Sequence, residues 1–416
     1  MVREPGLIGL LLGTEEDWPT AFEALVSRLG PVGGHTLRTE RIVNEPFDLR
    51  YRPRYALVID RLAWWYDLPR AWLKKVSLMD DVYLLNNPFT FQAMEKHSAY
   101  CAMIRCGIRV PATWLIPHKE PAPFAPFEYM AEKFPAVASR YNAPFDLNEI
   151  GEYVGYPHYM KPFDGGQWVG VSRIGSPGEL QAAYDASGER MMHLQAAVES
   201  FDVFVRSLSI GAETMSMWFD PSKPMHDRYH VRHDFLTPEL GDEIVTISRL
   251  VNAFFRWEFN SCETIVKDDV AYPIDYANAS PDVALTSLHY YFPWAMKALV
   301  RWCAFCVATN RPMQINQTTR DYFAVGDDPS LSYDEKLDGY RRLSDEYFQV
   351  ERYQEFCAQH LGHLDELAHA WFTSGEFDDL LVQTVVSTFP AHEHEHFVAH
   401  YRGLLGAWAA DAAAAR

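Results

Sequence analysis

The chain has 416 residues, 48% of them hydrophobic and 14% aromatic, too long for one small core and enough for two or three lobes. Its 37 basic and 56 acidic residues leave a net charge of −19, which argues against nucleic acid and anionic membranes as partners, since both need clustered Lys and Arg. No apolar run reaches the roughly 18–20 residues that span a bilayer, and the apolar stretch from Gly6 to Leu12 runs at once into Glu15 and Glu16, unlike a signal peptide, so a cytoplasmic location is expected. The cysteines, including the pair Cys303 and Cys306, lie among apolar and aromatic neighbours and read as core thiols of a reduced cytosol.

From the N-terminus, Leu7 to Leu12, Tyr55 to Asp60 and Val82 to Leu85 read as buried strands, with a helix from Trp18 to Leu29. Strands alternating with helical segments indicate a parallel sheet. Phe91 to Cys106 reads as a helix ended by Gly107. Residues 118–145, rich in Pro, Phe and Ala, look like an insertion or lid, and a short helix starts at Asp146 as N-cap. Tyr159 to Phe163 has the content of a strand, Gly165 and Gly166 form a loop, and Trp168 to Ile174 alternates as a second strand. Glycines there let backbone N–H groups crowd toward an anion, and Lys161 leaves its strand just before them.

A helix starts at Ser176-Pro177, and Met191 to Glu199 is a short apolar run ending in polar residues. Val203 to Ile210 is a strand from which Arg206 projects. His226 to Asp234 concentrates three His and two Arg, Arg228 among them; His226, His230 and His233 would share reach on a helix, though solvated loop charge reads equally well. Ser261 to Val266 and Ala271 to Asp282 form a hairpin around Lys267-Asp268-Asp269. It brings Glu263, Asp275 and Asn278 together, the hard oxygen ligands that Mg²⁺ on a triphosphate needs. Leu285 to Val307 reads as one helix. Beyond residue 310 the chain reads as helices over Tyr333 to Gln349, Tyr353 to Ser374, Phe377 to Phe389 and Ala391 to Ala414. His392, His396 and His400 are spaced by four on the last, where a solvated first turn is the better reading than a metal site.

The order of lysine strand, glycine loop, strand, helix and hinge resembles the ATP-grasp superfamily. Lys161 to Ile174 looks most like the matching segment of D-alanine–D-alanine ligases: lysine-proline, small-residue loop, then Val-Gly-x-Ser-basic-aliphatic. Glu95-Lys96-His97 followed by Gly107-Ile108-Arg109-Val110-Pro111-Ala112-Thr113 resembles the phrase that opens the grasp, and Asn278-Ala279-Ser280-Pro281 matches its Asn-x-Ser-Pro. The resemblance covers about Asn86 to Leu288.

It implies an α/β (α+β) architecture: an N-terminal parallel-sheet pre-grasp domain over 1–85, an ATP-grasp N-lobe over 86–190, a C-lobe over 191–309 and a C-terminal helical extension over 310–416. By the same resemblance Lys96, Lys161, Gly165 and Gly166 hold the phosphates of ATP. The carbonyl of Ala196 and the N–H of Val198 meet the adenine, with Gln195 near its exocyclic amine, and Asp202 takes the ribose hydroxyls. Two Mg²⁺ ions, with Mn²⁺ as a substitute, bind Glu263, Asp275 and Asn278. Arg228 falls where the ligases carry a lysine near the phosphates. The implied activity is an ATP-dependent carboxylate–amine ligase acting through an acyl phosphate on a small carboxylate and an amine of an amino acid or peptide. A kinase, a carboxylate–thiol ligase and a nucleotide-binding pseudoenzyme stay open, as does a homodimer through the helical extension.

Two departures stand out. Tyr276 occupies the place of the usual metal-strand glutamate, so Asp275 joins Asn278 only across a bulge or strand end, which Pro273 favours. Ser261 replaces the arginine that commonly neutralises the acyl phosphate, leaving Arg206, Arg228 or Arg232 to substitute.

Overall fold

The computed structural model describes residues 4–90, 96–120, 144–164, 166, 168–276, 278 and 281–415. Gly165, the Ala279-Ser280 pair and most of the 118–145 insertion lie outside these residues. The first sheet consists of β1 (Leu7–Leu11), β2 (Arg38–Arg41), β3 (Leu57–Asp60) and β4 (Tyr83–Leu85), parallel throughout in the order β2-β1-β3-β4. Strands β1, β3 and β4 are buried along their whole length, as suits a parallel sheet whose connections are the helices α1 (Asp17–Arg28) and α2 (Asp67–Met79).

Helix α3 (Lys96–Arg105) leads to the second sheet, β5 (Thr113–Ile116), β6 (His158–Pro162), β7 (Ser172–Ile174) and β8 (Met192–Ala196), antiparallel in the order β5-β8-β6-β7. Strand alternation turns Ile116, Met160, Ile174, Met192 and Leu194 into one small core with α4 (Leu147–Val154) and α5 (Pro177–Ser187). It leaves Tyr159, Lys161, His193 and Gln195 on the opposite face. Asp146 caps α4 as its position indicated, accepting from the N–H groups of Asn148 and Glu149.

The third sheet contains β9 (Val203–Ile210), β10 (Glu213–Phe219), β11 (Tyr229–His230), β12 (Phe259–Lys267) and β13 (Val270–Asp275), in the order β11-β10-β9-β12-β13. Its back packs on α6 (Pro238–Phe255) through Val203, Val205, Leu240, Ile244 and Val266. After a one-turn helix at Leu285–Leu288 come α7 (Phe292–Ala308), α8 (Arg320–Gly326), α9 (Tyr333–Phe348), α10 (Val350–His360), α11 (Leu364–Phe372), α12 (Gly375–Thr388) and α13 (His394–Ala414).

Several sequence expectations are corrected. Of Trp168 to Ile174 only Ser172–Ile174 is strand, because Trp168 (φ 62°) and Gly170 (φ 76°) adopt left-handed backbone. The helix expected from Leu285 divides at His289, whose φ is 37°. The helix expected from Tyr353 to Ser374 is two, separated at Leu361–His363. His226 lies in a three-residue turn and His230 on a strand, so the histidine run has no helical face. His392 precedes α13 in another turn, and only His396 and His400 keep helical register.

One buried carboxylate joins the first sheet, the third sheet and the C-terminal helices. Glu258, just before β12, accepts from Tyr83 of β4 (2.6 and 2.7 Å), Trp302 Nε1 of α7 (2.8 Å) and Tyr347 of α9 (2.8 Å). Arg311 lies 3.6 Å from it, donating also to Tyr83 (2.7 Å) and the carbonyl of Tyr347 (2.6 Å). Beside it Asn86 binds the same turn, accepting from the N–H groups of Glu258 and Phe259 and donating to the Phe259 carbonyl, each at 2.7 Å. Removing one member of such a buried set strands the others' polar atoms. Glu258→Ala is expected to cost about 3–5 kcal/mol of stability, read as a shift of the urea unfolding midpoint. A loss below about 1 kcal/mol would show that neighbouring packing holds the three parts together without it.

Candidate active site

Lys161, on the free face of the second sheet, and Lys96 of α3 both reach β13 of the third sheet, where Arg206, Glu263 and Asp275 lie alongside one another. Lys161 is buried, and its ammonium spends all three protons: on Gln195 Oε1 (2.6 Å), the Tyr100 hydroxyl (3.1 Å) and the Ile274 carbonyl (3.2 Å). Gln195 is itself held by Nε2 donating to Thr113 Oγ1 (2.9 Å), so its amide serves the lysine first. Burial pulls the Lys161 ammonium down to about 8, partly offset by the Asp275 carboxylate. Lys96, the first residue of α3, pairs with Asp275 at 2.7 Å. Burial alone would lower it, but Asp275, with Glu263 and Asp164 behind it, outweighs burial and the ammonium is raised above its ordinary value. The N–H of Lys96 also binds the carbonyl of Phe163 (3.1 Å), which ties α3 to the end of the lysine strand.

Across the third sheet, β9, β12 and β13 set Arg206, Glu263 and Asp275 side by side: Arg206 registers with Glu263, and Glu263 with Asp275. The latter depends on a bulge. Thr264 pairs with Pro273 and Glu263 with Asp275, so Ile274 has no partner in the ladder. Tyr276, in contrast, is buried in the core beside Tyr100. Arg206 Nη1 is 4.0 Å from Glu263, and its Nη2 donates to Ser261 Oγ (3.3 Å). Of the three arginines expected to make up for Ser261, Arg206 is the one that reaches it. Arg232 pairs with Asp234 and lies over Trp218. Arg228 donates to the Lys223 carbonyl and shares the Phe219 ring with Arg206, at 5.9 and 5.5 Å from its centroid.

Burial raises the Glu263 carboxyl, with Asp275 adding like-charge repulsion and Arg206 opposing both. Two carboxylates facing each other across one bulge form a donor set that a divalent cation would relieve. Among the described residues no group of three His, Cys, Asp or Glu is arranged to hold a metal. Mg²⁺ does not require one, since it is commonly bound by one or two carboxylates with phosphates and water completing the shell. Asn278 follows three residues on, its N–H donating to Asn260 Oδ1 (2.7 Å).

The other expected contacts are more dispersed. The Ala196 N–H donates to Ala112 (2.9 Å), while the Val198 N–H has no partner among the described residues. Asp202 is exposed and accepts from the N–H of Asp268 in the β12–β13 turn (2.8 Å). Gly166 is exposed with open space where a Cβ would lie, so steric crowding does not demand glycine there. Cys303 and Cys306 are buried and their thiols are pushed up, away from the thiolate that metal or redox chemistry uses.

Sequence reasoning missed Tyr100, Thr113, His193 and Tyr229. Tyr100 is four residues after Lys96, the one signal that could have placed it on the same helix face. His193 registers with Lys161 and stacks on His97; burial pushes it down to about 3, so it adds no third positive charge beside the two lysines. Tyr229 is buried near Arg206, and burial raises its phenol to about 12.

No family model matches the chain, and no curated protein does. Solved structures do. D-alanine–D-alanine ligase from Bacillus anthracis, complexed with ATP, is similar with a TM-score of 0.50 and 13% identity, over 73% of this chain and 97% of that one. A RimK-domain ATP-grasp protein from Sphaerobacter thermophilus gives 0.47 and 13%, over 73% and 98%. Carboxyaminoimidazole ribonucleotide synthase from Aspergillus clavatus, also complexed with ATP, gives 0.44 and 14%, over 68% and 72%. The chain has the ATP-grasp fold, with helices added at its C-terminus.

If the two lysines meet phosphates, ATP affinity follows the charge of Lys161. The group is protonated below about 8 and neutral above it, so affinity should fall as pH rises from about 7 to about 9. Lys161→Met should bind weakly at both pH values and lose the dependence. Calorimetric titration that gives a flat wild-type profile would take Lys161 out of the phosphate site.

Proposed function

We propose that the chain is an ATP-dependent carboxylate–amine ligase that works through an acyl phosphate. The observation that carries this reading is the convergence of Lys96, Lys161 and Arg206 with the facing carboxylates of Glu263 and Asp275, where two sheets meet. Three cations brought around those carboxylates suit a triphosphate and the acyl phosphate derived from it. The ATP bound by the similar Bacillus anthracis ligase is the nucleotide proposed here.

In this reading a substrate carboxylate oxygen attacks the γ-phosphorus of ATP, the bond to the β–γ bridging oxygen breaks, and ADP leaves. An amine then attacks the acyl carbon, the C–O bond to phosphate breaks, and the amine loses a proton as the amide forms. Lys161 and Lys96 neutralise the phosphates. Arg206, held by Glu263 and Ser261, takes the place of the arginine missing at 261 and steadies the charge on the acyl phosphate, with Arg228 next to it at the rim. Glu263, Asp275 and Asn278 would hold Mg²⁺, which lowers the charge on the triphosphate when bound. Val198 N–H, the Ala196 carbonyl and Gln195 face the adenine, Asp202 the ribose, and Gly166 the phosphates.

The test is turnover measured as ADP and phosphate release against panels of carboxylates and amines. Release should need both substrates together and yield ADP, whereas stoichiometric AMP would move the protein to an adenylating class. Asp275→Asn should lose nearly all Mg²⁺-dependent turnover and Tyr276→Phe keep most of it, because burial raises the Tyr276 phenol well above its ordinary value and a protonated phenol ligates Mg²⁺ poorly. The reverse pattern would mean that the register assigned to the metal strand is wrong.

A further inference from the structure

Resting on that nucleotide-and-metal reading, we infer that Tyr100 is a positioning residue that holds the β13 bulge, and with it Asp275 and Lys161, in their working arrangement. The argument starts from the unpaired residue. At Ile274 the ladder between β12 and β13 skips a position, which frees a main-chain carbonyl from the sheet. That carbonyl accepts from the Tyr100 hydroxyl at 2.8 Å and from Lys161 Nζ at 3.2 Å. The hydroxyl in turn accepts from Lys161 at 3.1 Å, so phenol, ammonium and bulge carbonyl form a closed triangle.

Helix α3 supplies two grips on consecutive residues of the strand. Lys96 and Tyr100 are four apart and share a face; the first takes the Asp275 carboxylate and the second the Ile274 carbonyl. The bulge is what puts Asp275 opposite Glu263 rather than on the other face, because neighbouring strand residues alternate. A group that pins Ile274 therefore sets the direction of the Asp275 side chain. Tyr100 is buried, wedged edge-on against His193 (5.4 Å) and Tyr276 (5.8 Å), so its hydroxyl has little freedom to leave the triangle.

The test is Tyr100→Phe, which keeps the ring and removes only the hydroxyl, beside Tyr276→Phe, whose hydroxyl among the described residues makes a single 3.4 Å contact with the Pro273 carbonyl. ATP binding is titrated at a series of Mg²⁺ concentrations and again in EDTA. Tyr100→Phe should raise the Mg²⁺ concentration for half-maximal ATP binding roughly tenfold, as expected for loss of one hydrogen bond to a charged site, and weaken binding in EDTA much less. Tyr276→Phe should leave both unchanged. A Mg²⁺ requirement within twofold of wild type, or a Tyr100→Phe chain that no longer folds, would overturn the inference and make the hydroxyl a stability element. If the wild-type chain binds no ATP, or Asp275→Asn leaves its Mg²⁺ dependence intact, the nucleotide-and-metal reading fails instead.

Discussion

A carboxylate taken out of water costs several kcal/mol unless its lone pairs are met, and Glu258 is where this chain accepts that cost. Its two oxygens receive hydrogen bonds from a tyrosine of the first sheet and from a tryptophan and a tyrosine of the C-terminal helices. Glu258 immediately precedes β12, the strand that carries Ser261 and Glu263 into the site. The direction in which that strand leaves the node is therefore set by groups far from it in sequence. Asn86, gripping the main chain of Glu258 and Phe259, makes the same connection through the backbone.

The site itself is a problem of charge balance. Lys96 and Lys161 reach β13, Arg206 lies beside Glu263 on the neighbouring strand, and each cation is already engaged: Lys96 by Asp275, Arg206 by Glu263, Lys161 by three neutral acceptors. Lys161 is the one whose partners carry no charge, and it is the one whose ammonium is weakened. Under the proposed reading, an incoming phosphate would meet in Lys161 the one cation of the three that no carboxylate has already paired. His193, in register with Lys161 and kept neutral by burial, adds no further cation beside it.

What the sequence disclosed and what it hid divide along physical lines. Pro273 and the misplaced carboxylate at Asp275 announced a bulge, because a proline and a face mismatch are local facts, and the ladder does shift there. The parallel strands β1, β3 and β4 were legible as apolar runs. By contrast β10, with its half-buried polar Glu213, Thr214 and Ser216, lacks a strand's apolar signature and is formed by its neighbours. The break at His289 and the left-handed backbone at Trp168 fall on residue types that carry no turn signal of their own. Tyr100 looked like any core aromatic on a helix; only the three-dimensional position of an unpaired carbonyl gives its hydroxyl a purpose.

The Glu258 node also bears on how the chain is made. Tyr83 leaves the ribosome well before its carboxylate partner, which lies 175 residues downstream, and the node is complete only when Trp302, Arg311 and Tyr347 have followed. Contacts of such sequence separation form late and slowly, since chain closure must precede the gain from pairing. The parallel sheet emerges first, with the Tyr83 hydroxyl left to water until Glu258 and then the helices arrive to close over it. During that interval its apolar flank is open to solvent and to other nascent chains. Synthesis thus runs from a half-finished lobe toward a knot tied near the end, and chains that terminate early carry the lobe without its fastening.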